Sequence, residues 1–169
     1  MQITYCYENY LNMQYENEFD FVTLIFCDFG VLAPKDRTLL LKKIRTALKP
    51  NGTLILDGFT KNQYIDFKNS RSVTYEDGGF WCDVPYMCLQ SNYCYEVSDT
   101  YLEQYVIATD KKLSCYNIWN QAFDTTTLGA ELRCVGFNDF TFYGNVCGQN
   151  LTEDSKTICV VAKNASLPK

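Results

Sequence analysis

The stretch FDFVTLIFCDFGVLAPKDRTLLLKKIRTALKPNGTLILDGF, residues 19–59, decides the fold. Residues 19–26 form a near-continuous apolar, β-branched and aromatic run, the pattern of a strand buried on both faces, which points to a parallel sheet. From Pro34 the pattern changes period. Leu40, Leu41, Ile44, Ala47 and Leu48 recur at helical spacing while Lys42, Lys43, Arg45 and Lys49 fall mainly elsewhere. The end signals agree: Pro34 opens the segment, Asp36 lies in the first turn, Lys49 in the last, and Pro50 with Gly52 stops the helix. TLILDGF, residues 53–59, then reads as a second short buried strand. Strand, helix and strand with short links make a βαβ crossover, right-handed by the general rule.

Within that stretch, CDFG at residues 27–30 raises the question of what Asp28 is for. A D-F-G triplet presents its Asp to magnesium in protein kinases, but it works there with a glycine-rich loop and an H-R-D segment. The chain has neither, and no His at all. A three-residue match carries little by itself.

Composition narrows the class further. At 169 residues, 47% hydrophobic and 21% charged, the chain is long enough for one globular domain with a substantial core. The formal charge of -5 and the lack of any Lys/Arg block argue against nucleic acid as principal partner, since that attraction needs a cationic face. The opening MQITYCYENY lacks the layout of a secretory signal, and no apolar run approaches the roughly 18 residues of a membrane helix. The expectation is a cytoplasmic protein without membrane contact. Nine cysteines, an odd number at loose spacing, fit free thiols better than a disulfide framework. Cys82, Cys88 and Cys94 recur every six residues without C-x-x-C or His, so they read as small apolar fillers on one face of a strand region rather than a metal site.

From Val73 to Phe123 the chain becomes short aromatic-rich strands broken by the turn signals EDGG, VSDT and TDKK, an antiparallel meander. It holds both Trp and many Tyr, among them Tyr93, Tyr95, Tyr101, Tyr105, Tyr116 and Trp119. Cross-strand packing accounts for any one of these; lining a pocket is the alternative. Asp124 or Thr125 then caps a short helix, TTTLGAELRCVGF, ended by Gly136, and two strands follow near residues 139–143 and 157–162. The closing NASLPK reads as a frayed tail.

As an ordered set, ENEFDFVTLIFCDFGVL, LLLKKIRTALKPNGTLILDGFT, YNIWNQAF with LGAELRCVGF, and TICVVAK resemble the C-terminal portion of a class I S-adenosylmethionine-dependent methyltransferase. The resemblance implies an α/β fold: a partial doubly wound, Rossmann-like, mostly parallel sheet with an inserted antiparallel β meander. It implies a single domain over residues 1–169, with residues 1–60 and 116–169 as the core and 61–115 as an inserted lid covering the substrate pocket.

In open α/β sheets, ligands bind outside the carboxyl ends of the strands. Cys27, Asp28 and Phe29 are therefore expected at the cofactor and substrate cleft. Asp28, the candidate catalytic residue, would orient a nucleophile or accept a proton, and Phe29 would offer a π-face to a sulfonium. The plain alternative for Asp28 is a solvated loop residue capping the next turn. Asp57, ending the second strand with Gly58, and Tyr116 and Trp119, where the meander returns to the core, are candidate substrate-binding residues. By resemblance Asn9 and Tyr10 occupy the loop at the adenine edge, although Asn9 equally suits an ordinary turn. No metal is expected.

The chain departs from the family in one respect. No G-x-G occurs anywhere, and residues 3–11, ITYCYENYL, look like the family's third strand and its following loop. About two βα units, roughly 60 residues or more, are thus expected to be missing before Met1. The resemblance implies methyl transfer from S-adenosylmethionine to a small-molecule acceptor, with weak or absent cofactor binding by the isolated chain. The second reading is a non-catalytic half-enzyme, a binding or assembly module that self-associates or joins a chain supplying the rest. An apolar first strand without its family neighbour would expose an edge, and pairing by strand exchange through residues 3–11 is the expected remedy.

Overall fold

A computed structural model describes residues 3–165; the end of the tail read as frayed, residues 166–169, lies outside them. The chain builds two four-stranded sheets. β1 (Phe19–Leu24), α1 (Pro34–Ala47) and β2 (Leu48–Phe59) come first. β3 (Ser70–Glu76), β4 (Tyr86–Tyr95), β5 (Thr100–Ala108) and β6 (Leu113–Gln121) follow as the meander. α2 (Thr125–Cys134), β7 (Asp139–Tyr143) and β8 (Thr157–Lys163) complete it. The first sheet has the order β1-β2-β8-β7, the second β3-β4-β5-β6.

The expected βαβ unit is present, with β1 and β2 parallel. A mostly parallel sheet is not. β8 runs antiparallel to both β2 and β7, and every pairing in the second sheet is antiparallel. The reason is connectivity: no helix crosses between β7 and β8, and a direct link returns the chain antiparallel. The meander sheet reaches Gln121, so β6 straddles the lid boundary expected at residue 115.

α1 begins with Pro34 at its first turn and buries Leu40, Leu41, Ile44 and Ala47. It stops at Ala47, earlier than its apolar period implies. Lys49 precedes Pro50 and is sterically pushed out of the helical region, so Leu48 starts β2 and pairs with Phe19. Lys49 bonds Asp20 at 2.8 Å instead of closing the helix. α2 follows expectation: Asp124 Oδ1 accepts the Thr127 N–H at 2.7 Å in a capping box, and Gly136, at φ +94, takes the left-handed exit.

Both helices cover one face of the first sheet. Leu54 and Leu56 of β2, with Ile158, Val160 and Ala162 of β8, pack against Leu40, Leu41, Ile44, Leu128 and Leu132 in one core. Period-two alternation sends Ile55, Asp57, Cys159 and Val161 to the opposite face.

β1 is not buried on both faces. It is an edge strand in which Val22 and Leu24 pack on the core while Phe21 stays 66% exposed, and Phe26 beyond it is 94% exposed. Residues 3–11 form no strand either. Lacking a ladder partner, they run without regular structure into a 3-10 turn at Tyr10–Asn12.

A second small cluster, Tyr86, Cys88 and Ile107 with Trp81 and Tyr105, sits on one face of the meander. Cys88 and Cys94 share that face of β4, while Cys82 lies in the preceding loop. All nine cysteines are free thiols, and no metal-ligating group occurs among the described residues. No helix among them is long and apolar enough to cross a membrane.

Candidate functional site

The site forms where the chain leaves β1. Phe26 and Cys27 take left-handed backbone, φ 81 and 59, a conformation that costs a side-chain-bearing residue roughly 1–2 kcal/mol. This double turn ends the strand and starts a 3-10 turn over Asp28–Val31. The Cys27 N–H donates to Asp57 Oδ1 at 2.7 Å. Asp57, at the carboxyl end of the neighbouring parallel strand, is only 8% exposed.

Asp28 follows, half-buried, and its Oδ2 accepts the Tyr10 O–H at 2.9 Å. Among the described residues its Oδ1 accepts no hydrogen bond. Burial, then the hydrogen bond and charge of Asp28, push the Tyr10 phenol up to about 12. Cys27 is 6% exposed. Burial and then Asp57 push its thiol up to about 12, and Cys159, paired with Asp57 in the sheet, is raised by burial and Asp57 as well. A thiol so displaced is a poor nucleophile at neutral pH.

The candidate residues do not all converge. Phe29 is fully buried, 5.6 Å from the Phe123 ring, with the Arg37 guanidinium 5.7 Å from its own centroid. Its expected exposed π-face is absent because the double turn swings the ring inward. Asn9 acts as a turn residue, its Oδ1 accepting the Leu11 N–H at 2.9 Å. Asp57 faces the Cys27 backbone rather than an open pocket.

Tyr116 and Trp119 lie three apart on β6 and so project from opposite faces of the sheet. Trp119 lines a cleft of about 400 Å³ with Gly30, Val31, Leu32, Ala33 and Arg37, beside Tyr95, whose ring is 5.8 Å away. Tyr116 stacks on Trp81 at 4.9 Å and lines a separate cleft. Of the two, Trp119 is the one whose cleft includes the turn after Asp28, through Gly30 and Val31.

The meander is seated directly on this turn. A Cβ at Gly30 would lie 2.8 Å from the Gln121 backbone oxygen, and the Phe123 N–H donates to the Phe59 carbonyl at 2.8 Å. Arg37, 3% exposed, braces the junction through Glu131 at 2.7 Å and the Leu32 carbonyl at 2.7 Å. Tyr64 and Tyr101, stacked at 3.9 Å, join the segment after β2 to the meander. The Tyr64 phenol is raised by burial, then by Cys27 and Glu103. Sequence reasoning passed over Arg37 and Tyr64; a lone cation on the apolar face of α1 was the available signal for Arg37.

For the cofactor implied by the resemblance, the residues that fit are those of the β1 side. The half-buried Asp28, with one oxygen open, and the Tyr10 phenol suit a group bearing hydrogen-bond donors, while Phe29 and Cys27 are closed to it.

No protein-family model and no curated protein matches the sequence. Solved structures do. The methyltransferase CcbJ from Streptomyces caelestis superposes with a TM-score of 0.65 at 11% identity, over 94% of this chain and 62% of its own. An S-adenosylmethionine-dependent methyltransferase from Clostridium acetobutylicum gives 0.64 at 12%, over 94% and 63%. CalS10, an amino pentose methyltransferase from Micromonospora echinaspora, gives 0.54 at 14%, over 94% and 63%. The chain thus spans less than two thirds of the length of these structures. Over that span these superpositions give it the fold of the class I S-adenosylmethionine-dependent methyltransferases.

Proposed function

We propose that this chain serves S-adenosylmethionine-dependent methyl transfer to a small-molecule acceptor, as the part of the site that handles the acceptor and the adenine side of the cofactor. The observation carrying this reading is the Asp28–Tyr10 pair, set at the carboxyl end of β1 in a methyltransferase fold, where α/β sheets bind ligands. The cofactor, when bound, supplies an electrophilic methyl group on a sulfonium. Asp28 Oδ1 receives the proton or orients the donor of the incoming nucleophile, and Tyr10 holds Asp28 in place through Oδ2. Such transfer gains chiefly from proximity and orientation, so a site without His suffices.

The reading includes a further polypeptide, a second copy or a separate chain, that completes the cofactor site; binding by this chain alone is then weak. The β1 edge, without a partner strand among the described residues, and the exposed Phe21 and Phe26 favour that component and equally support the second reading, a non-catalytic assembly module.

The test is titration of the purified chain with S-adenosylhomocysteine, followed by calorimetry and by the ring resonances of labelled tyrosine. A weak, saturable response at Tyr10 that disappears in Asp28→Asn supports methyl transfer. Low-micromolar binding by the chain alone would overturn the shared-site part, and no response at Tyr10 at the solubility limit would leave only the assembly reading.

A further inference from the structure

We infer that Asp57 is a positioning residue: through the Cys27 backbone it holds the double left-handed turn that places Asp28 against Tyr10. Phe26 and Cys27 both carry side chains and both have positive φ, so the turn is unfavourable unless something outside it selects it. Within the turn, the Gly30 N–H reaches the Cys27 carbonyl at a long 3.4 Å, and Cys27 has no side-chain cap. The short contact comes from across the sheet, the 2.7 Å bond from the Cys27 N–H to Asp57 Oδ1.

A carboxyl oxygen is the stronger acceptor for a backbone N–H, and burial of both partners removes water as a competitor. Asp57 is itself fixed, since Gly58 and Ile158, Asp57 and Cys159 are adjacent rungs of a central ladder. Rigidity therefore passes from the middle of the sheet to Cys27, and from Cys27 to Asp28, the next residue. This differs from the substrate contact expected of Asp57 from the sequence. Its Oδ1 is committed to the backbone, and its side chain supports Asp28 rather than meeting a ligand. Asp57 faces away from the helix-covered core, so the contact is not explained by filling that core.

The structural part of this inference stands by itself, and only its consequence for activity rests on the methyl-transfer reading. Two measurements on the purified chain decide it. In the unaltered protein, the Cys27 amide should exchange with solvent on the order of a hundredfold or more slower than a free coil; free-coil exchange, with β2 amides protected, would overturn the pin. In the second, labelled tyrosine is followed by NMR, with Tyr10→Phe assigning the resonance. Asp57→Ala should lower the Tyr10 titration from about 12 by the share that the Asp28 bond and charge contribute, burial keeping the rest, and Asp57→Asn, which keeps an acceptor, should hold it near the native value. Should Asp57→Ala not fold, Asp57→Ser, too short to reach the amide, takes its place. A folded Ala or Ser variant with an unmoved Tyr10 titration would refute the inference. S-adenosylhomocysteine added to each form separates the two ideas. If the native chain gives no Tyr10 response, methyl transfer fails while the Ala and Asn contrast still decides the role of Asp57.

Discussion

Tyr10 donates its phenol to Asp28 Oδ2 at 2.9 Å, joining the N-terminal segment to the end of β1 across eighteen positions. Since folding raises the Tyr10 phenol to about 12, the neutral form is favoured in the native state. The resulting stability is complete below the ordinary value of 10 and is lost as pH rises from about 10 to about 12. The stability difference between the native chain and Tyr10→Phe, from urea unfolding, should therefore fall across that window and stay level below it. A difference that grows with pH there would contradict the assignment.

Thiol reactivity should separate the cysteines by place. Cys6, Cys115, Cys134 and Cys147 are exposed, whereas Cys27 and Cys159 are buried with thiols raised by burial and Asp57. Brief alkylation near neutral pH, read by peptide mass spectrometry, is expected to label the first four and spare the last two. Rapid labelling of Cys27 in folded protein would show that the turn opens.

Arg37 is nearly inaccessible, and its guanidinium meets Glu131, the Leu32 carbonyl and, at 5.3 Å, the Phe123 ring. Arg37→Leu strands Glu131 and the carbonyl, and breaking a buried pair in this way costs about 3 kcal/mol. Glu131→Gln, on the more exposed side, should cost about 1 kcal/mol. Losses in urea unfolding that simply add in the double variant would mean that the two groups are not coupled as described.

Gly30→Ala tests the junction between turn and meander. Its Cβ would stand 2.8 Å from a backbone oxygen of Gln121, which has no flexible end to give way. The expected loss is about 1–3 kcal/mol, with the Trp119 fluorescence altered because its cleft includes Gly30. An unchanged midpoint would show that β6 is free to shift.

The β1 edge should promote association. Phe21 is two-thirds exposed on a strand whose second edge has no partner among the described residues, and such edges recruit strands. Sedimentation velocity is expected to show concentration-dependent association that Phe21→Lys weakens while circular dichroism stays native. A monomer at every concentration would remove the self-association proposed above; strand exchange through residues 3–11 would need them to leave their present course.

How far the sequence reaches can be judged residue by residue. α1 and α2 follow from apolar spacing and from end signals such as Pro34, Asp124 and Gly136, because a helix is decided by neighbours within a few positions. The meander follows from turn residues and alternation for the same reason, and the opposite facing of Tyr116 and Trp119 was already implicit in their odd spacing on one strand. What local pattern cannot carry is which strands become neighbours. β1 has the composition of a central strand and lies at an edge; residues 3–11 have strand-forming composition but no ladder to join. β8 enters between β2 and β7 and makes the sheet mixed. The site depends on such long-range choices: Asp57 meets Cys27 across thirty residues and Tyr10 meets Asp28 across eighteen. Phe29 is carried into the core although it adjoins the candidate carboxyl. Positive φ at Phe26 and Cys27 has no signature in composition, and the acceptor that meets the Cys27 N–H there, Asp57, lies thirty residues away.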